Sequence, residues 1–162
     1  MRVVLTIALM LMVGKAGSQT YNIEQEHDSL SWLVLTTDST VSRWRLPYPV
    51  YRLQVGDIDG DGSLDAIVGV VKATRFYKEK ARRIFIFKNK NGRVRPMWMG
   101  SKLGGILEDF RFIDGRIRSL ERTNDERYVV AEYQWQGFGM GFKRFLANGT
   151  REEAVAVFDN NQ

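Results

Sequence analysis

Four aspartates stand close together in the segment from Asp57 to Asp65, which reads Asp-Ile-Asp-Gly-Asp-Gly-Ser-Leu-Asp. They occupy positions 1, 3, 5 and 9 of the segment, and Gly62 stands at position 6. Carboxylates this close repel one another unless a cation lies between them. Calcium accepts oxygen ligands in flexible geometry, whereas magnesium requires nearly ideal octahedral coordination. The segment therefore predicts a calcium-binding loop. The alternative is a metal-free turn, because Asp and Gly are common turn residues.

The flanking segments predict strands rather than helices. An EF-hand loop needs a glutamate at position 12, where this chain has Val68. Upstream, residues 51–55 alternate apolar and polar side chains, which is the period of a strand. Downstream, residues 66–71 form a short apolar run rich in β-branched side chains. The loop is therefore expected to join two strands.

Residues 55–69 resemble the calcium loops of FG-GAP and VCBS-type repeats, as found in integrin α-chain propellers and many secreted bacterial proteins. In those repeats a strand ends near Gly-Asp, a D-x-D-G-D-G-x-x-D loop follows, and an apolar strand comes next. The resemblance implies five calcium ligands: the side chains of Asp57, Asp59, Asp61 and Asp65 and the carbonyl oxygen of Ser63. It also implies that the sheets are arranged as repeated units.

Residues 1–18 are typical of a secretory signal peptide. Arg2 precedes an uncharged run from Val3 to Val13, and small residues at Ala16 and Ser18 favour cleavage before Gln19. This run is shorter than the roughly 20 residues that a membrane-spanning helix needs. We therefore expect a secreted or periplasmic protein with no transmembrane segment after cleavage. An uncleaved anchor or an N-terminal core strand is the alternative.

The rest of the chain is predicted to form one all-β domain. Residues 19–29 are polar and are expected to be a flexible lead-in to the domain at residues 30–162. The segment from Ile84 to Phe87 is apolar at every position, which is typical of a central strand covered on both faces. No segment has a convincing helical period, and the segment from Ala154 to Phe158 is expected to close the domain as a strand.

Two Asn-Gly pairs indicate an internal repeat. Asn91-Gly92 and Asn148-Gly149 are 57 residues apart, and each follows a strand-like segment. Asn-Gly is a frequent two-residue hairpin turn. The spacing predicts about 2.5 four-stranded antiparallel units, with the loop at residues 122–126 in the second unit corresponding to the aspartate loop. Because closed propellers need about four or more blades, an open sandwich or a partial β-propeller is expected, unless copies assemble.

Little in the sequence predicts catalysis. The chain has one histidine, His27, and no cysteine, which excludes cysteine nucleophiles, disulfides and zinc–thiolate sites. The segment from Gly137 to Phe142 has glycines at alternate positions but lacks the G-x-G-x-x-G spacing of nucleotide-binding loops. We assign no catalytic residue. The alternative is a secreted carbohydrate-active hydrolase whose carboxylates cluster near this glycine-rich segment.

The charge pattern does not indicate nucleic-acid binding. The formal net charge is +5, and it becomes +3 when Arg2 and Lys15 are removed with the signal peptide. The basic side chains between residues 78 and 95 are interpreted as solubilising charge along an exposed strand edge rather than a polyanion surface. We expect an exported calcium-binding domain that binds a protein or glycan at the cell surface or in the periplasm, or that self-associates.

Overall fold

The computed structural model describes residues 17–100 and 102–160. Apart from Gly17 and Ser18, the predicted signal peptide at residues 1–18 lies outside the described residues. Within them the chain forms eleven strands and one helix. These are β1 (Gln19–His27), β2 (Leu30–Thr37), β3 (Val41–Leu46), β4 (Val50–Gly56), β5 (Asp65–Lys72), β6 (Ala81–Lys90), β7 (Arg93–Trp98), β8 (Ile106–Ile113), β9 (Arg116–Arg122), β10 (Tyr128–Trp135), β11 (Met140–Gly149) and α1 (Arg151–Asp159).

The strands form three antiparallel sheets, each made from consecutive strands. Sheet A contains β1–β3, sheet B contains β4–β7 and sheet C contains β8–β11, and in each sheet the strands lie side by side in chain order. None of the three sheets closes into a barrel in the described part of the chain. The predicted all-β fold with open antiparallel sheets is confirmed.

Sheet B lies between the other two sheets and is covered on both faces. Alternate side chains of a strand point to opposite faces. Phe85 and Phe87 of β6 accordingly pack in a core with residues of sheet A, while Ile84 and Ile86 pack in a second core with Phe110 and other residues of sheet C. All four β6 side chains are buried, which confirms the prediction of a central, doubly covered strand at residues 84–87.

The outer face of sheet C is covered by α1, so the expected closing strand at residues 154–158 is wrong. Thr150 caps the helix: its side chain accepts a hydrogen bond from the Glu153 N–H, and the Glu153 carboxylate accepts one from the Thr150 N–H. Ala154 and Phe158 are buried against sheet C. The capping box and the burial of one helix face outweigh the β-branched residues of this segment.

The expected flexible lead-in at residues 19–29 is also corrected, because β1 pairs with β2 from Gln19 to His27. Tyr21 is only 5% exposed in the core between sheets A and B. β1 is an edge strand, and its remaining positions are largely solvent-facing. Its polar composition therefore reflects an exposed strand face rather than a lack of structure.

The two Asn-Gly pairs do not occupy equivalent positions, so the predicted repeat is aligned incorrectly. Asn91-Gly92 joins the third and fourth strands of sheet B, whereas Asn148-Gly149 ends the fourth strand of sheet C. In strand order, the counterpart of the aspartate loop is the two-residue turn Asp114-Gly115 between β8 and β9. The loop at residues 122–126 instead connects β9 to β10.

The single helix of the described region, α1, has nine residues. Within that region, no helix has the length and apolar character that crossing a bilayer requires.

Candidate metal centre at the β4–β5 loop

The aspartate loop joins two paired strands at one end of sheet B. Gly56 at the end of β4 lies opposite Asp65 at the start of β5, so the intervening residues must reverse the chain. Gly60 and Gly62 have φ angles of 76° and 85°. Glycine adopts this left-handed conformation without the steric penalty that a side chain would bring. The two glycines therefore allow the tight path that brings the aspartates together.

Three of the predicted ligands converge. Asp57, Asp59 and Asp61 each present a carboxylate oxygen, and these oxygens lie within 4.8 Å of one another. The Asp57 carboxylate is held in place by the backbone, because its Oδ1 accepts from the Gly60 N–H at 2.8 Å and its Oδ2 from the Gly62 N–H at 2.8 Å. An all-oxygen set of this kind is the chemistry that calcium prefers.

Asp65 lies beneath the loop and is completely buried. Its Oδ2 accepts a hydrogen bond from the Ile58 N–H at 3.0 Å, whereas its buried Oδ1 has no hydrogen-bond partner among the described residues. Burial raises the pKa of Asp65 to about 6; the Ile58 hydrogen bond opposes this rise, and the charge of Asp59 adds to it. A buried carboxylate oxygen without a donor is costly, and a cation would satisfy it.

Lys88 of β6 is part of the site, and sequence reasoning missed it. It lies directly opposite Asp65 in the β5–β6 register, and its Nζ is 2.7 Å from Asp59 Oδ2 and 2.9 Å from Asp61 Oδ2. Hydrogen bonds from Lys88 and from the Ser63 N–H lower the pKa of Asp61. The hydrogen bonds that Lys88 donates to Asp59 and Asp61 raise the pKa of Lys88. The ammonium group thus neutralises part of the loop charge. Aligning β5 with β6 from the sequence would have been needed to find it.

The donor set fits calcium, with one competitor built into the fold. Ser63, the fifth predicted ligand, is exposed, and its N–H donates to Asp61 Oδ1 at 2.8 Å. The loop therefore offers the carboxylates of Asp57, Asp59 and Asp61. Asp65 is not part of this convergent group in the described structure, but it has a buried oxygen that lacks a donor there. Lys88 holds two of the oxygens that a metal ion would need, so the ion and the ammonium group compete for Asp59 and Asp61.

His27 and the adjacent acids Glu108 and Asp109 are side chains capable of acid–base chemistry, but in the described structure each contacts a different partner. His27 is exposed and contacts Ser29. Asp109 forms a two-point ion pair with Arg52 at 2.6 and 2.7 Å, while the neighbouring Glu108 lies near Arg122 instead. These adjacent acids therefore serve different partners, as expected for neighbouring residues on a strand.

The basic side chains of β7 and the tryptophans have roles in the fold itself. Arg93 and Arg95 are exposed on β7, an edge strand of sheet B, where charge discourages pairing with other chains. Trp44 packs against the core between sheets A and B, and Trp98 and Trp135 pack against the core between sheets B and C. Most of the tryptophan surface is thus used in packing.

No protein-family model matches this chain, and no curated protein matches it either. What the loop does must therefore be inferred from its own geometry.

Proposed function

We propose that this chain is an exported calcium-binding β-repeat domain that acts as a binding or assembly module, with calcium in a structural role. The observation that carries the proposal is the combination of the Asp57, Asp59 and Asp61 cluster with the buried, donor-free oxygen of Asp65. The hydrogen bond to the Ile58 N–H is what an ordinary polar turn would use Asp65 for, but such a turn does not account for the second buried oxygen, which has no donor in the described structure.

The ligands are Asp57, Asp59, Asp61 and Asp65 through their side chains and Ser63 through its carbonyl oxygen. Calcium supplies positive charge that cancels the mutual repulsion of the carboxylates. The chain contributes the rest: the backbone N–H groups of Gly60 and Gly62 orient Asp57, and Asp65 extends the site to the first residue of β5. Binding therefore fixes the end of β4 relative to the start of β5, and with it one end of the central sheet.

The site suits an environment outside the cytoplasm. Extracellular calcium modules bind with Kd values on the order of 10⁻⁴ to 10⁻³ M, which is adequate where calcium is millimolar. The signal-like pattern of residues 1–18 supports export to the periplasm or the medium. The partner is a protein or glycan at the cell surface or in the periplasm, and association between copies is the competing arrangement, which sedimentation velocity would reveal.

The hydrolase alternative gains nothing from the described residues. A glycosidase needs two carboxylates facing each other across the substrate. A cavity whose lining includes Phe142, the last residue of the glycine-rich segment, contains a single acid, Glu121, among its described lining residues. We therefore keep the non-enzymatic function.

A thermal melt in EDTA, in millimolar calcium and in millimolar magnesium tests the proposal. The chain should melt several degrees higher in calcium, and magnesium should have little effect. Asp59→Ala should abolish the calcium response. Asp114→Asn, in the β8–β9 turn, is the matched control and should retain it. An identical melting temperature in all three buffers would contradict a structural calcium site.

A further inference from the structure

A cavity of about 530 Å³ lies at one edge of sheet C, remote in sequence from the calcium loop. Its described lining comes from β9, β10 and β11, from the loop between β9 and β10, and from the segment that precedes β8. The walls that matter here are Gly105, Glu121, Tyr133, Phe142 and Phe145. Glu121 is the only charged side chain among the described lining residues.

Glu121 is 1% exposed, and every hydrogen bond that it accepts comes from a neutral donor. Its Oε1 accepts from the Tyr133 hydroxyl at 2.8 Å and from the Ser119 hydroxyl at 2.6 Å, and its Oε2 accepts from the Gly105 N–H. No arginine, lysine or histidine of the described residues forms an ion pair with it. The carboxylate is therefore positioned and hydrogen-bonded, but none of the residues that the structure describes neutralises its charge.

The open side of the cavity is aromatic because β11 is irregular. The pairing of β10 with β11 shifts twice, so Phe142 lies opposite Tyr133 and Phe145 lies opposite Ala131. Residues directly opposite each other share a face of the sheet, and bulges of this kind redirect side chains. The two phenyl rings lie 4.7 Å apart between centroids, and Phe142 meets the Tyr133 ring edge-on at 6.0 Å.

These rings are exposed although nothing in their chemistry favours contact with water. Phe142 is 51% and Phe145 is 60% exposed, on β11, which is an edge strand of sheet C. Contiguous exposed apolar surface beside a cavity is a feature of ligand-binding grooves. The carboxylate of Glu121 in the same cavity then favours a positively charged ligand over a negatively charged one.

We propose that this cavity binds an organic cation, such as an alkylated ammonium group. Aromatic faces attract cations through their quadrupole, and alkylated ammonium groups carry the apolar surface that fits phenyl rings. Glu121 adds a buried negative charge that water screens poorly. A carboxylate- or phosphate-bearing ligand would be repelled by the same charge. The site is independent of calcium.

Titration of the purified chain with choline tests the charge requirement. The control ligand is 3,3-dimethylbutan-1-ol, which has nearly the same shape but carries carbon in place of the charged nitrogen. Chemical-shift changes followed by NMR should saturate with choline, and the neutral alcohol should bind roughly 2- to 30-fold more weakly, as cation–π contacts predict. The result should be the same in EDTA and in calcium, so that a failure of the calcium site leaves this test intact.

Variants of the aromatic wall locate the site. Phe145→Ala should weaken choline binding, whereas Phe138→Ala, which removes an 86% exposed ring outside the cavity lining, should not. Glu121→Gln should remove the preference for choline over the alcohol. Because Glu121→Gln places an amide where three donors converge, the fold of this variant is checked by circular dichroism. If the variant does not fold, the result with Phe145→Ala decides whether the cavity binds choline.

Three outcomes would overturn the proposal. Equal binding of choline and the alcohol would show that charge plays no part. An unchanged affinity in Phe145→Ala would place the cation elsewhere. Saturable binding of glucose without binding of choline would assign the aromatic surface to a sugar.

Discussion

Sheets B and C have the same strand order, yet one buried carboxylate in each, Asp65 in sheet B and Glu132 in sheet C, lies in an opposite electrostatic setting. In sheet C, Glu132 receives the Arg144 guanidinium at 2.7 Å and lies 3.5 Å from both Arg116 and Arg118. In sheet B, Asp65 is buried with one oxygen that lacks a donor in the described structure. The chain neutralises Glu132 with its own arginines, whereas Asp65 has no ion-pair partner among the described residues, and calcium from solution is its proposed counter-charge.

The pKa values of the two acids reflect this contrast. Burial by itself would raise the pKa of Glu132, but the Arg144 hydrogen bond and the charges of three arginines outweigh it and hold the value below the ordinary range. Burial dominates at Asp65 and raises its pKa to about 6. Removing one member of the Glu132 network would leave an uncompensated buried charge, whereas a buried acid with a raised pKa and no counter-charge is a candidate binding site.

Breaking the completed network should have the largest effect. Glu132→Gln leaves the Arg118 side chain, which is 7% exposed, without its carboxylate partner, and removing one member of a buried ion pair costs about 3–5 kcal/mol. Urea unfolding should show this loss equally in EDTA and in calcium. Glu79→Gln, at an exposed loop position, is the control and should change little. A loss below about 1 kcal/mol would show that the network is not stabilising.

Completing the other network with calcium should have the next largest effect. For a Kd on the order of 10⁻⁴ to 10⁻³ M, 10 mM calcium should add about 1.4–2.7 kcal/mol to the unfolding free energy. Asp65→Asn should remove this gain. In EDTA the variant should be at least as stable as the natural chain, because the amide oxygen can still accept from the Ile58 N–H without a buried charge. A calcium gain that survives Asp65→Asn would remove Asp65 from the ligand set.

The two acids should also give pH dependences of opposite sign in EDTA. The folded state binds the Asp65 proton more tightly than the unfolded state, so its contribution to stability is lost as pH rises from 3.8 to about 6. The lowered pKa of Glu132 makes its contribution disappear as pH falls below the ordinary value of 4.5. In thermal melts across pH 3–7, Asp65→Asn should lack the loss of stability that the natural chain shows as the pH rises to about 6. A pH profile identical to that of the natural chain would show that Asp65 does not cause the loss.

The smallest expected effect is on calcium affinity in Lys88→Met. The lysine occupies Asp59 and Asp61 oxygens at 2.7 and 2.9 Å, so removing it should tighten calcium binding about threefold, in line with the modest strength of partly exposed ion pairs. Isothermal titration would measure the change. Lys90→Met removes a nearby charge from the same strand without touching the loop acids and should leave the affinity nearly unchanged. Weaker binding in Lys88→Met would show that Lys88 supports the metal.

The sequence predicted what local patterns encode and missed what depends on pairing. The aspartate spacing and the apolar run of β6 were sufficient for the loop and for the central strand, because both signals lie within a few residues. Lys88 and Glu121 become visible only when strands are aligned, since their partners come from other segments. The helix at residues 151–159 has a local signal, Thr150 followed by Glu153, but it comes directly after an Asn-Gly pair, which favours a hairpin turn and a following strand.

The order of the three sheets along the chain has a consequence for how the protein folds. Each sheet is built from consecutive strands, so its pairing closes short loops and can proceed quickly. Sheet B, however, buries its two faces only when sheets A and C have both formed, because its side chains belong to two different cores. If the chain is exported with its N-terminus first, sheet B can therefore complete both of its cores only after sheet C has crossed the membrane.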